Sequence, residues 1–125
     1  MAEKTAKRIL LAEDETPMAR ALELKLEHQG YQVDAVGNGE EAIEMLQSGT
    51  KYHLFLCDLM MPKVDGFEVL EFMNKEGIKI KTVILSNLSQ EEDKAKVKEM
   101  GVVDFYVKSN TPIAEIVSMV TNLIK

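Results

Sequence analysis

The stretch LFLCDLMMPKVDGFEVL, residues 54–70, runs from a short apolar segment through an aspartate and a loop into a helical pattern. Leu54–Cys57 are four consecutive apolar residues, as expected for a strand buried on both faces of a parallel sheet. Asp58 ends this run, and Asp65-Gly66 is typical of a turn and a helix start. The residues that follow share one helical face: Phe67, Leu70 and Met73. The stretch therefore predicts a strand, a loop that begins with a carboxylate, and a helix.

The same strand-then-helix pattern occurs five times along the chain. Predicted strands lie at residues 9–12, 31–36, 54–57, 82–85 and 102–107, several of them continuous apolar runs, and residues with helical spacing follow each strand. Glycines 30, 49, 77 and 101 are predicted helix ends. The predicted helix starts are Thr16-Pro17, Asn38, a Ser89–Glu92 capping box and Thr111-Pro112. We predict one α/β domain over residues 1–125, a doubly wound (βα)5 sandwich whose parallel sheet has the flavodoxin-like order 2-1-3-4-5.

Composition narrows the class of protein. A chain of 125 residues is close to the commonest size of a single domain. Its net charge is -6 without a concentrated basic stripe, which argues against direct nucleic-acid binding. Cys57 is the only cysteine, so no intrachain disulfide forms, and no apolar run approaches the roughly 20 residues of a membrane span. We expect a cytoplasmic protein that binds neither nucleic acid nor membranes.

Polar side chains follow the predicted strands. Glu13 and Asp14 come after the first strand, Asp58 after the third, Ser86 after the fourth and Lys108 after the fifth. In the order 2-1-3-4-5, strands 1 and 3 are neighbours, so the three carboxylates meet at the carboxyl edge of the sheet. Two unit charges ~4 Å apart repel by about 4 kcal/mol at an effective dielectric constant near 20. The predicted cluster therefore requires cations.

Two cations suit this cluster. Lys108 supplies an ammonium, and a hard divalent ion with oxygen ligands, such as Mg²⁺, supplies more charge. The same arrangement suits phosphoryl transfer, with Asp58 as the nucleophile and the Ser86 hydroxyl as a donor to a phosphoryl oxygen. Each residue alone also fits an ordinary role, as a solvated loop acid, a loop cap or a surface lysine. Their coincidence at one edge of the sheet favours the functional interpretation.

Four segments resemble the receiver domain of bacterial two-component response regulators, in particular the stand-alone receivers of chemotaxis. They are ILLAEDE (9–15), CDLMMPKVDGFEVL (57–70), VILS (83–86) and GVVDFYVKS (101–109). The resemblance covers essentially the whole chain. It implies that Asp58 is the phosphoacceptor, that Asp14 binds Mg²⁺ directly, and that Glu13 helps through water. It further implies a Mg²⁺ ligand in the backbone carbonyl of Met60.

The resemblance also implies a switch and its partners. Ser86 corresponds to the switch hydroxyl, Lys108 to the lysine that pairs with the phosphoryl group, and Phe105 to the switch aromatic. The phosphodonor is then a histidine kinase or a phosphotransfer protein. Phosphorylation is expected to change the surface formed by helix 4, strand 5 and helix 5, which binds an output protein. Because the chain ends soon after the last helix, a stand-alone receiver and a receiver taken from a longer protein are both compatible with the sequence.

Three positions depart from the family pattern. Ser109 follows the lysine where proline is usual, which concerns the geometry of the loop before the last helix. Asn87 follows the switch hydroxyl where a small residue is usual, which concerns access to the phosphoryl group. Glu13 replaces the commoner aspartate.

Three other functions are less compatible with the residues. A haloacid-dehalogenase-type phosphatase needs an Asp-x-Asp pair after strand 1, where this chain has Glu13-Asp14-Glu15. A flavodoxin-like cofactor binder needs a Ser/Thr/Gly-rich phosphate loop at the same place. A pure interaction module would not need the intact acidic site. We therefore expect a phosphoacceptor switch and not a turnover enzyme, one that catalyses only its own phosphorylation and dephosphorylation.

Overall fold

A computed structural model of the chain describes residues 6–88 and 90–124. Within them, five parallel strands form one sheet in the order β2-β1-β3-β4-β5, which confirms the predicted topology. The strands are β1 (Arg8–Ala12), β2 (Gln32–Val36), β3 (Leu54–Cys57), β4 (Thr82–Ser86) and β5 (Asp104–Val107). The three central strands are apolar almost throughout because both of their faces are covered.

Five helices cover the two faces of the sheet. They are α1 (Thr16–His28), α2 (Gly39–Gln47), α3 (Gly66–Glu76), α4 (Glu91–Glu99) and α5 (Ile113–Leu123). Along β1, Leu10 and Ala12 point to one apolar core, which includes residues of α2, α3 and α4, while Ile9 and Leu11 point to the other, which includes residues of α1 and α5. This alternation follows from the two-residue period of a strand. It confirms the doubly wound sandwich.

Several helix starts agree with the sequence and others do not. Asn38 accepts a hydrogen bond from the Glu41 N–H at 2.9 Å, as expected of an N-cap. Thr16, predicted as the N-cap of α1, is instead its first residue, and Glu15 is the N-cap without a side-chain bond. Likewise Pro112 is the N-cap of α5 and not its first residue. Proline and threonine predict a helix start to within about one residue, because each is compatible with both the N-cap and the first helical position.

The β4–α4 and β5–α5 connections also differ in detail from the prediction. The predicted Ser89–Glu92 capping box includes Ser89, which lies outside the described residues; α4 begins after Gln90. Ser86 is the last residue of β4 and not the first residue after it. Strand β5 begins at Asp104, two residues later than predicted, and a short 3₁₀ turn, Lys108–Asn110, follows it.

Among the described residues, no helix is both long enough and apolar enough to cross a membrane.

Candidate functional site

Two carboxylates are placed by the sheet itself. The Asp58 N–H donates to the carbonyl of Ala12 at 3.0 Å, and the Glu13 N–H donates to the carbonyl of Val36 at 3.0 Å. Both bonds continue the parallel ladder by one residue beyond the strands. Because their backbones are fixed in this way, the two side chains lie side by side at the carboxyl edge, where the sequence predicted them.

Lys108 lies between these carboxylates. Its Nζ donates to Asp58 Oδ2 at 2.9 Å and to both Glu13 carboxylate oxygens at 2.9 Å. A longer bond of 3.3 Å reaches Glu15 Oε1. The side chains of Lys108, Glu13 and Asp58 are 5%, 1% and 3% exposed, so their charges interact with little screening by water. The exposed Glu15 adds little, but its contact with Lys108 was not expected from the sequence.

The surroundings raise the pKa of both Glu13 and Lys108, which favours the charged lysine and disfavours the charged glutamate. Burial raises the pKa of the Glu13 carboxyl, and the neighbouring Asp58 adds to the rise, although hydrogen bonds from the Glu15 N–H and Lys108 oppose it. Burial alone would lower the pKa of Lys108, but its hydrogen bonds to Asp58 and Glu13 outweigh this and raise it. Lys108 therefore stays charged, while ionisation of Glu13 has a cost that a further cation would relieve.

Asp14 completes a set of hard oxygen donors. Single carboxylate oxygens of Glu13, Asp14 and Asp58 all lie within 4.8 Å of one another. When ionised, these three carboxylates carry two more negative charges than the one Lys108 ammonium offsets. Oxygen ligands and excess negative charge are what Mg²⁺ prefers, so the donor set fits this ion.

A cavity of about 290 Å³ opens onto this cluster. Its lining consists of Asp14, Glu15, Asp58, Met60, Asn87 and Lys108. The Met60 N–H donates to Asp58 Oδ1 at 3.1 Å, so both oxygens of Asp58 are held, one by an amide and one by an ammonium. The arrangement can therefore present an oriented carboxylate to a small ligand in the cavity.

Gly66 supports Asp58 from behind, a role that the sequence did not predict. A Cβ at Gly66 would collide with the backbone oxygen of Asp58 and lie 2.8 Å from the Leu59 Cα. The Gly66 N–H donates to the Leu59 carbonyl at 3.0 Å, and Asp65 caps α3 through a full capping box with Glu68. By itself the Asp65-Gly66 dipeptide predicts a turn and a helix start. The close approach to Asp58 is a tertiary contact that the dipeptide does not reveal.

Three predicted site residues do not line the cavity: Glu13, which lies behind Lys108, and also Ser86 and Phe105. Ser86 is fully buried, and its Oγ accepts a hydrogen bond from the Leu88 N–H at 3.2 Å, so the hydroxyl contacts its own loop. Phe105 is half-buried against the core that α3 and α4 cover, and Lys94 Nζ lies 5.7 Å from its ring centroid. The cavity lining also includes Asn87, which the sequence marked only as a departure from the family pattern.

Comparison with known proteins agrees with this geometry. Residues 9–121 match the family model of the response regulator receiver domain. The transcriptional regulatory protein DltR of Streptococcus agalactiae is 34% identical over 101 residues, which are 81% of this chain and 45% of that protein. The chain spans about half the length of the curated relatives it matches.

Solved structures show the same fold. The receiver domain of a Francisella response regulator is 28% identical, with a TM-score of 0.86 over 94% of this chain and 96% of that one. The response regulator TrrA of Thermotoga maritima, solved in complex with Mg²⁺ and BeF, is 30% identical, with a TM-score of 0.78 over 94% and 98% of the two chains. The family match, the sheet order and the acidic site all lead to the same conclusion: the chain belongs to the receiver domains of two-component response regulators.

Proposed function

We propose that residues 1–125 form one receiver domain that accepts a phosphoryl group on Asp58 in a Mg²⁺-dependent reaction. One observation carries the proposal: the buried Asp58 carboxylate is held by Lys108 Nζ and the Met60 N–H at the floor of an acidic cavity. A structural aspartate would not need two further carboxylates beside it. A phosphoacceptor does, because those carboxylates bind the cation that the reaction requires.

The residues that would hold Mg²⁺ are Glu13, Asp14 and Asp58, with the backbone carbonyl of Met60 assigned by family resemblance. When bound, Mg²⁺ supplies positive charge to phosphoryl oxygens that the acidic cluster would otherwise repel. The complex of TrrA with Mg²⁺ and BeF supports this assignment by similarity.

In the proposed reaction, an Asp58 carboxylate oxygen attacks phosphorus. The new O–P bond forms as the bond from phosphorus to the donor breaks, and the leaving group takes its electron pair. Lys108, already within 2.9 Å of Asp58, stabilises the negative charge that moves onto the phosphoryl oxygens. The Ser86 hydroxyl, which accepts from the Leu88 N–H, would turn and donate to one phosphoryl oxygen.

The signal would leave the site through the face formed by α4, β5 and α5. Turning Ser86 changes its contact with the β4–α4 loop and makes room for Phe105 to move inward. Val97 is the only residue of α4 that is fully buried, so little apolar burial opposes a shift of this helix. The phosphoryl group favours the shifted state only through contacts that differ between the two states.

The proposed donor is a histidine kinase or a phosphotransfer protein in the cytoplasm. The proposed receiver of the signal is an output protein or output domain that contacts the α4–β5–α5 face. Relatives such as DltR are transcriptional regulators, so control of transcription through an output partner is compatible with this proposal. We propose a stoichiometric switch and not a turnover enzyme.

Intact-mass measurement after incubation with acetyl phosphate and Mg²⁺ tests the proposal. We expect one added phosphoryl group, which is absent with a chelator and absent in Asp58→Asn. Asp34→Asn is a matched control, because Asp34 is also paired with a cation but lies outside the acidic cavity. An adduct that persists in Asp58→Asn, or no adduct on the wild type, would contradict the proposal.

A further inference from the structure

Two departures from the family pattern contact each other. The backbone N–H of Ser109 donates to Asn87 Oδ1 at 2.8 Å. Asn87 directly follows Ser86, and Ser109 directly follows Lys108. Ser86 and Val107 form the last pairing of β4 with β5. The Asn87–Ser109 bond therefore connects the segments that follow β4 and β5, just beyond the last backbone pairing of the two strands. It does so through the Asn87 side chain.

This bond requires a backbone N–H at position 109 and a side-chain acceptor at position 87. Proline at position 109 has no N–H to donate. It would also disfavour the helical conformation of the preceding residue, whereas Lys108 here begins a 3₁₀ turn. A small residue at position 87 would lack the amide oxygen. The two departures are thus complementary, since the usual family residue at either position would remove the bond.

The bond lies beside the proposed reacting groups. Lys108 carries the Nζ that contacts Asp58 and Glu13, and both Asn87 and Lys108 line the acidic cavity. Within the turn, the Thr111 hydroxyl donates to the Val107 carbonyl at 2.8 Å. The Thr111–Val107 bond stabilises the turn itself, whereas the Asn87–Ser109 bond fixes the position of the turn relative to β4.

We propose that Asn87 is a positioning residue: through its bond to Ser109 it holds the 108–110 turn, and with it Lys108, in the arrangement that stabilises phosphoryl transfer to Asp58. The inference rests on the proposed function, which supplies the reaction. It assigns Asn87 a role through Lys108 and not through its bulk at the mouth of the cavity. Ser109 contributes only its N–H.

The first experiment detects the bond without metal or donor. Amide hydrogen exchange at residue 109 should be protected in the wild type and in Ser109→Ala, which keeps the N–H. Protection should fall about three- to tenfold in Asn87→Ala and in Asn87→Leu, a variant of similar size without an acceptor, as expected for the loss of one hydrogen bond. Unchanged protection in both variants would overturn the inference.

The second experiment links the bond to Lys108 and also needs no donor. Asn87→Leu should lower the folding equilibrium constant about three- to tenfold in the wild type, and by a clearly smaller factor in Lys108→Met, where the bond remains but the Lys108 contacts that it positions are gone. Equal effects in both backgrounds would show that Asn87 does not act through Lys108. If Lys108→Met fails to fold, Lys108→Gln takes its place in the cycle.

The third experiment measures the initial rate of phosphoryl uptake from acetyl phosphate with Mg²⁺. Asn87→Ala and Asn87→Leu should both be about three- to tenfold slower, while Ser109→Ala matches the wild type. Faster uptake by Asn87→Ala with slower uptake by Asn87→Leu would mean that bulk decides, which overturns the inference. A wild type that takes up no phosphoryl group contradicts the proposed function, and the first two experiments then decide the Asn87 assignment separately.

Discussion

Two clusters of charge lie on the same sheet and are built differently. Towards the amino ends of the strands, Arg8 Nη1 contacts both oxygens of Asp34 at 3.0 Å, and the Tyr52 hydroxyl donates to the same carboxylate at 2.7 Å. One cation meets one anion, with the side chains 34% and 25% exposed. At the carboxyl edge, one buried lysine contacts Glu13, Asp58 and Glu15, and Asp14 adds a further carboxylate.

The difference in charge balance distinguishes a structural ion pair from a cluster with a proposed function. The Arg8–Asp34 cluster is neutral, its hydrogen bonds are made, and it needs no further group. The Lys108 cluster combines the buried carboxylates of Glu13 and Asp58 with the exposed Asp14, so its negative charge exceeds that of one lysine, and the proposed function assigns a cation to it. Charge that is buried and uncompensated is costly, and proteins keep such sites where a ligand or a reaction requires them.

Removal of the cation from each cluster should have the largest effect. Lys108→Met leaves Glu13 and Asp58 buried and unpaired, and we expect a loss of about 3–5 kcal/mol in the free energy of unfolding at pH 7. Arg8→Met, in the half-exposed cluster, should cost about 1 kcal/mol or less. Urea unfolding of both variants measures the difference. Equal losses would remove the contrast between the clusters.

Magnesium should distinguish the clusters almost as strongly. At a Mg²⁺ concentration about 100 times its Kd, binding to the native state alone stabilises the wild type by about 2.7 kcal/mol. Asp14→Ala should abolish most of this gain, because Asp14 is one of the three proposed donors. Asp34→Ala should keep the full gain even though its baseline stability is lower. Thermal unfolding with and without Mg²⁺ tests both, and an unchanged response in Asp14→Ala would remove it from the ligand set.

The backbone behind Asp58 should tolerate a side chain at Gly66 less well than the backbone at Gly37 does. Gly66→Ala would force the Asp58 and Leu59 backbone apart, at a cost of about 1–3 kcal/mol, and should also slow phosphoryl uptake. Gly37→Ala is the matched control, since the nearest atom to a Cβ there is 4.0 Å away. It should change stability by no more than about 0.5 kcal/mol. If both variants were equally stable, the close approach at Gly66 would be without consequence.

Tyr52 provides the smallest test, through pH. Burial raises the pKa of the Tyr52 phenol, and the hydrogen bond to Asp34 adds to the rise. Because the pKa of Tyr52 is higher in the folded than in the unfolded protein, its contribution to the free energy of unfolding is complete below the unfolded pKa near 10. The contribution is lost as pH rises above that value. Tyr52→Phe should cost about 1 kcal/mol at pH 7. Its deficit relative to the wild type should shrink above pH 10, as measured by urea unfolding; a constant deficit would contradict this.

Much of this molecule was predictable from local patterns. Apolar runs specified the three central strands, because a strand covered on both faces has few polar residues. The sheet order then placed Glu13, Asp14, Asp58 and Lys108 at one edge, and the distances confirm that these side chains meet. Helix starts were less accurate, as at Thr16, because several residues near a helix start can serve as the cap.

Other features required the tertiary structure. Residues distant in sequence approach one another at Gly66 and Asp58, at Asn87 and Ser109, and at Glu15 and Lys108. The structure also showed that the Ser86 hydroxyl contacts its own loop and that Phe105 lies beneath Lys94. Apart from the local Ser86–Leu88 bond, none of these contacts has a signature at fixed sequence spacing.

The sequence by itself determined the sheet, its order and the acids and lysine at its carboxyl edge, because hydrophobic periodicity and strand topology act through local spacing. Only the tertiary structure decided how far the Lys108 charge is shared, how closely Gly66 approaches Asp58 and which partner Asn87 binds. These depend on distances of a few tenths of an ångström between separate loops. Such distances are set by the packing of the whole domain.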